Sequence, residues 1–254
     1  MDKQPGQKLD QYIKQAGRYA LAPELTPHQE LAILCRVLFA EGYNDHIAGH
    51  ISYRQEDGSL LINPWELAWD ELTASDIIQL DKDGNVIQGE WNVTPANLLH
   101  LAIHNSRSDA NVIIHNHPQY ASVWANKHEI PKIYDQTSAN MNGDIALYNE
   151  YGGTLHQQEQ CAATAKELGD AKWALLANHG VLVIGRDIRQ AHIRAVTLEW
   201  RCKQAWMVEA AGGGIPMPAE EADHLGGLID EHGLPFMWEA MVRRVLRQSP
   251  EVMD

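Results

Sequence analysis

Apolar residues recur along this chain with two different periods. Leu31, Leu34, Val37 and Leu38 fall on one face of a helix. Thr26-Pro27 ahead of them reads as N-cap and first helical residue, and Gly42 as the stop, which predicts a helix over 27–41. Strand-like runs follow. Residues 47–54 and 59–62 flank Glu56-Asp57-Gly58, and 77–80 and 86–87 flank Asp83-Gly84, so two hairpins are expected. Thr73 to Asp76 reads as a helical turn. Pro95 opens a helix to Ser106. Val112-Ile113-Ile114 is a buried strand running into His115-Asn116-His117, and Pro118 opens a helix to Asn126. Residues 145–148 predict a strand and 158–168 a helix. Strands over 173–177 and 181–184 are separated by Asn178-His179-Gly180. A long amphipathic helix over 187–206 ends at Ala211 and the three glycines after it. This order predicts an α/β domain with a mostly antiparallel sheet over 26–210. A short peripheral helix is expected over 1–25, and a C-terminal helical extension over 211–254.

Composition narrows the classes. A chain of 254 residues can bury a full core. Its 34 acidic and 20 basic residues give a net charge of −14, which excludes broad binding to nucleic acid. Cys35, Cys161 and Cys202 are widely spaced with no CxxC, so neither a thiolate zinc site nor a disulfide framework is expected. No apolar stretch follows the first charges and no run of about 18 apolar residues occurs. The expected setting is cytoplasmic, without a membrane partner. The 13 histidines are the unusual count.

His115 and His117 lie two apart on a strand, so both imidazoles project from one face. Converging imidazoles suit zinc, manganese, iron or nickel. His179, in its tight turn between apolar strands, is a candidate third ligand. Three histidines with an open position is the pattern of a catalytic divalent site. Spacing alone leaves open whether the pair are ligands or two unrelated surface histidines.

Several stretches, taken in order, extend this. Ala48-Gly-His-Ile-Ser-Tyr-Arg54 is similar to an Ala-Gly-Asn-Val-Ser-x-Arg strand. Leu72-Thr-Ala-Ser-Asp-Ile-Ile78 with Asp83-Gly-Asn-Val86, His100-Leu-Ala-Ile103, Asp109 through His117, and Leu175-Leu-Ala-Asn-His-Gly-Val181 follow. Over about 25–210 the set resembles the class II aldolase/adducin family. The resemblance implies a three-layer α/β/α fold with a mostly antiparallel central sheet. It places His115, His117 and His179 on the family's metal histidines. It also implies one divalent metal per chain, zinc or manganese, and a homotetramer with sites at subunit interfaces.

The departures from the family pattern bear on chemistry. Where relatives carry Pro-Ser-Ser-Glu before the helix of His100, this chain has Thr94, Pro95 and Ala96, with Asn97 one position on. None of these is a carboxylate that could move a proton. The family's Thr-Pro-Ser-Gly loop reads Asn63-Pro64-Trp65-Glu66, and the strand-motif Asn has become His50. A phosphate cradle is thus missing. The expectation is a metal-dependent carbon–carbon lyase acting on a small molecule. It would decarboxylate a non-phosphorylated hydroxy- or keto-carboxylate through a metal-stabilised enolate. A sugar-phosphate aldolase or epimerase with relocated acid/base groups is the alternative, and a non-enzymatic adducin-like scaffold a third.

Candidate catalytic residues are His50 and His100, each weighed against a packed structural role, and Tyr134. Tyr134 and Asp135 lie in a stretch resembling one that reaches a neighbouring subunit's site. Candidate substrate contacts are Gly49, Arg54, Trp65 (with Trp69 four residues on), Asn97 and Tyr120. For the tryptophans and Tyr120, core packing competes with that role. Arg107 reads as a surface or interchain ion pair, and His104 as structural.

Overall fold

The strands alternate sides residue by residue, and the sheet they build carries an apolar layer on each face. The computed structural model describes residues 20–140, 143, 145–149, 158–232 and 235–254. Eight strands form one sheet: β1 (His50–Arg54), β2 (Leu60–Ile62), β3 (Ile78–Leu80), β4 (Val86–Gln88), β5 (Val112–Asn116), β6 (Ile145–Tyr148), β7 (Trp173–Leu176) and β8 (Gly180–Gly185). Their spatial order is β4-β3-β2-β1-β5-β8-β7-β6. Neighbours run antiparallel except for the parallel pair β6 and β7. Both expected hairpins form, β1 with β2 and β3 with β4.

The helices are α1 (Pro27–Ala40), α2 (Asn97–Ser106), α3 (Gln119–Lys127), α4 (Gln136–Ala139), α5 (Gln158–Leu168), α6 (Ile188–Ala210), α7 (Ala219–His232) and α8 (Pro235–Gln248). α1 begins where the sequence signals it. Thr26 Oγ1 accepts from the Gln29 backbone N–H at 3.3 Å, and the Gln29 side chain accepts from the Thr26 N–H at 3.0 Å. α2 opens two residues after Pro95, because a turn from the Thr94 carbonyl to the Asn97 N–H comes first. α4 is not among the elements the sequence predicts. It is one short turn capped by Asp135, whose carboxylate accepts from the Ser138 N–H at 3.0 Å. The helix expected over 1–25 falls largely outside the described residues, and 20–25 are not helical.

On β5, Val112 and Ile114 face one side of the sheet, where α1, α3, α6 and α8 pack. Ile113 faces the other side with Leu182, Ile184, Ala174 and Leu176, covered by Leu99 and Ile103 of α2 and by Cys161, Ala165 and Leu168 of α5. The result is a three-layer α/β/α arrangement. His115, two positions beyond Ile113, and His117, just past the end of β5, lie on the same side. The register sets His50 directly opposite His115 and Ser52 opposite Ile113. Four polar residues therefore share the α2 face of the sheet's centre. Among the described residues no helix is long and apolar enough to cross a membrane.

Candidate metal centre

His115 is on β5, His117 follows its last residue, and the β7–β8 turn carries the third member. Asn178 takes a left-handed conformation, φ 54°, and turns the chain so that His179 faces the pair. Candidate ligand atoms of His115, His117 and His179 all lie within 4.8 Å of one another. Two glycines make the approach possible. A Cβ on Gly180 would collide with the His117 ring and the Asn116 carbonyl, and one on Gly49 with the Asn116 side chain. Gly49 also sits at φ 100°, where a side chain is strained.

Hydrogen bonds fix which ring nitrogens are free. His115 Nδ1 lies 2.9 Å from the Val181 carbonyl, which only accepts, so Nε2 keeps its lone pair. His117 Nδ1 donates to Asp45 at 2.8 Å, leaving Nε2 as the acceptor nitrogen. That Nε2 is buried with no hydrogen-bond partner. A buried lone pair without a donor is what a bound cation would satisfy. A carboxylate behind a ligating histidine is the arrangement that orients such ligands. Burial pushes His115 well below its ordinary pKa and His179 down to about 4, which favours the neutral rings a metal requires. The histidine set fits a divalent ion.

The pocket in front of these rings has a volume of about 450 Å³. Besides the three histidines it is lined by Ile47, Ala48, Gly49, His50, Trp65, Thr94, Pro95, Ala96 and Leu99. His50 stacks on His115 with ring centroids 4.8 Å apart. Its pKa is lowered well below the usual value by burial first and by the neighbouring histidines second. Trp65 is half exposed at the rim.

Other candidates lie elsewhere. Trp69 is buried in the α1–α6 core layer, since 65–69 is not helical and the two rings diverge. Arg54 cannot clamp a substrate carboxylate. Its guanidinium is consumed by the carbonyls of His104, Arg107 and Ser108 and by Asn111. Arg107 is buried, not superficial. It pairs with Asp109 at 2.7 Å and donates to the Gly169 and Ala171 carbonyls. Asn97 is the first residue of α2 and does not line the pocket; Ala96 and Leu99 do. Tyr120 packs on the opposite face of the sheet, its ring centroid 5.7 Å from that of Trp206. Tyr134 also packs on that layer, beside Gly214, and is outside its own chain's pocket. His100 lies behind His50, to which it bonds at 2.5 Å.

Sequence reasoning passed over Asp45 and Glu199. Asp45 sits in a loop with no periodicity to mark it. Glu199 looks like one more polar position of α6, yet its carboxylate caps the start of α3, just after His117. It accepts from the Tyr120 and Ala121 N–H groups at 2.9 Å each. Burial pushes this carboxyl up to about 7.

Residues 29–206 match the model of the Class II Aldolase and Adducin N-terminal domain. The chain belongs to the class II aldolase/adducin family. A Caulobacter vibrioides protein named for aldolase class 2 is 30% identical over 243 residues, 89% of this chain and 91% of that one. Alpha-adducin of Mus musculus is 32% identical over 193 residues, 73% of this chain but 26% of the adducin. The structure of L-fuculose 1-phosphate aldolase from Glaciozyma antarctica PI12 superposes with a TM-score of 0.79 at 25% identity, covering 92% of this chain and 98% of that one. The family thus holds aldolases beside adducins.

Proposed function

We propose that this protein is a divalent-metal-dependent carbon–carbon lyase that removes CO₂ from a non-phosphorylated hydroxy- or keto-carboxylate. One observation carries the reading. Among the described residues lining the pocket there is no Lys, Arg, Asp or Glu, and the titratable side chains are four histidines. Three of them are the ligand set. A bound divalent ion would supply Lewis-acid stabilisation of the negative oxygen that develops when a bond to carbon breaks.

His50 is then the group left to handle a proton. On a hydroxy-acid the proton of the substrate hydroxyl passes to His50. The electron pair of the broken C–C bond stays on the substrate carbon as CO₂ leaves. On a hydroxy-acid that carbon takes the proton back from His50 and the product oxygen regains one from water; on a keto-acid the proton for carbon comes from water. Ile47, Leu99 and the exposed ring of Trp65 give the substrate an apolar wall. With no cationic side chain among the described residues that line it, this chain's pocket offers a phosphate dianion little to hold it. Zinc or manganese is the proposed ion. The assembly in this reading is a homotetramer with sites between subunits. Trp200, Trp206 and Met207, large apolar residues left exposed on α6, are consistent with a covered face there.

The test is CO₂ release from a panel of hydroxy- and keto-acids by zinc- or manganese-loaded protein, with a phosphorylated ketose run alongside. CO₂ from an acid and no aldehyde from the ketose is the expected result. Rapid aldehyde release from the ketose would overturn the decarboxylase reading in favour of an aldolase.

A further inference from the structure

A run of hydrogen bonds leads from His50 away from the pocket, and its far end has a fixed polarity. His104 Nδ1 lies 2.8 Å from the Ala110 carbonyl oxygen. A carbonyl only accepts, so this nitrogen carries hydrogen and His104 Nε2 carries the lone pair. Nε2 lies 2.7 Å from Ser52 Oγ and accepts the hydroxyl hydrogen. A hydroxyl has one hydrogen to give. The other contact of the same oxygen, 2.6 Å to His100 Nδ1, therefore runs the opposite way, with His100 donating. His100 Nε2 is left as an acceptor, and it takes the hydrogen of His50 Nδ1 at 2.5 Å.

Every member is buried, with exposures of 6% for His50, 1% for Ser52, 1% for His100 and 5% for His104. Solvent water has little access to break the sequence. Burial also lowers the pKa of His100 and brings that of His104 to about 4, so the rings are neutral near pH 7. For neutral rings the hydrogen count allows one arrangement.

We propose that Ser52 and His104 are positioning residues that hold His50 as its Nδ1–H tautomer and so present an unprotonated Nε2 to the pocket. His50 is then obliged to accept a proton before it can give one. That order is what a substrate hydroxyl requires and what a donor to a bound phosphate would not use. The catalytic consequence rests on the lyase reading above; the tautomer does not.

The experiment is ¹⁵N NMR of the imidazole nitrogens in the full chain, as purified and after zinc loading, with His50 assigned by loss of its signals in His50→Gln. Wild-type His50 is expected to show a protonated Nδ1 and an unprotonated Nε2. Ser52→Ala removes the one-hydrogen link. It is expected to convert His50 to a mixture of tautomers and to lower kcat by about tenfold or more with KM little changed, as a mis-set tautomer does. Ser52→Thr, which keeps the hydroxyl, is expected to restore both. Nε2–H His50 in the wild type, or a single Nδ1–H form in Ser52→Ala, would overturn the proposal. If Ser52→Ala does not fold, the wild-type spectrum and that of His104→Gln decide it. An Nδ1–H His50 in a protein that releases no CO₂ would support the tautomer assignment and count against the lyase reading alone.

Discussion

At the scale of single residues the centre is set by what each histidine's second nitrogen touches. His115 is aimed by a backbone carbonyl of the neighbouring strand, and His117 by the Asp45 carboxylate. The bond from His117 is the main cause holding Asp45 below the usual carboxylate range. Removing such an outer partner commonly lowers metal affinity by about 10- to 100-fold. Asp45→Ala is therefore expected to weaken zinc binding by that factor in a chelator competition, with the fold retained. Unchanged affinity would mean that the Asp45 contact does not orient the ligand. His115→Ala should remove binding outright.

At the scale of elements the site depends on close approach between the β7–β8 turn and the end of β5. Gly180 has no room for a methyl group against His117 and Asn116. Overpacking of this kind costs about 1–3 kcal/mol. Gly180→Ala should lower the urea midpoint accordingly and loosen metal binding at the same time, because the displaced group is itself a ligand. A stability loss with intact metal affinity would separate the turn from the site.

The elements were the most legible part of the sequence. The Thr26-Pro27 signal, the two hairpin turns and the alternation of β5 each act locally, so short windows of residues expose them. The histidine triple was legible for the same reason in part: two members lie two residues apart at the end of β5. Bringing in His179 needed the ordered resemblance. What stayed hidden depends on pairing across the fold. Nothing local says that Arg54 will be spent on four loop and helix groups, or that His100 and His104 will meet Ser52. Those facts follow from α2 lying over β1, which strand register and helix rotation decide together.

At the scale of the whole molecule, burial of histidines ties stability to pH. Burial holds His104 and His192 down at about 4, and it lowers His50, His100 and His115 as well. These folded-state values lie below the unfolded value of 6.5. The unfolded chain therefore binds more protons between the two, and the stabilisation is full above pH 6.5 and lost as pH falls toward 4. Each such group changes stability by roughly 1 kcal/mol per pH unit across that window. In the presence of EDTA the urea midpoint should drop clearly from pH 7 to pH 5, and His192→Gln, remote from the pocket, should lessen the slope. A midpoint independent of pH across this range would contradict the assignment of buried neutral rings.

The proposed chemistry requires the histidine triple to be a working metal centre. Metal content by mass spectrometry of the untagged chain, wild type against His115→Ala, tests that most directly. About one zinc or manganese ion per chain in the wild type, absent from the variant, is the predicted result. No bound metal in the wild type, even after loading with zinc and manganese, would contradict it and leave the adducin-like scaffold as the better description.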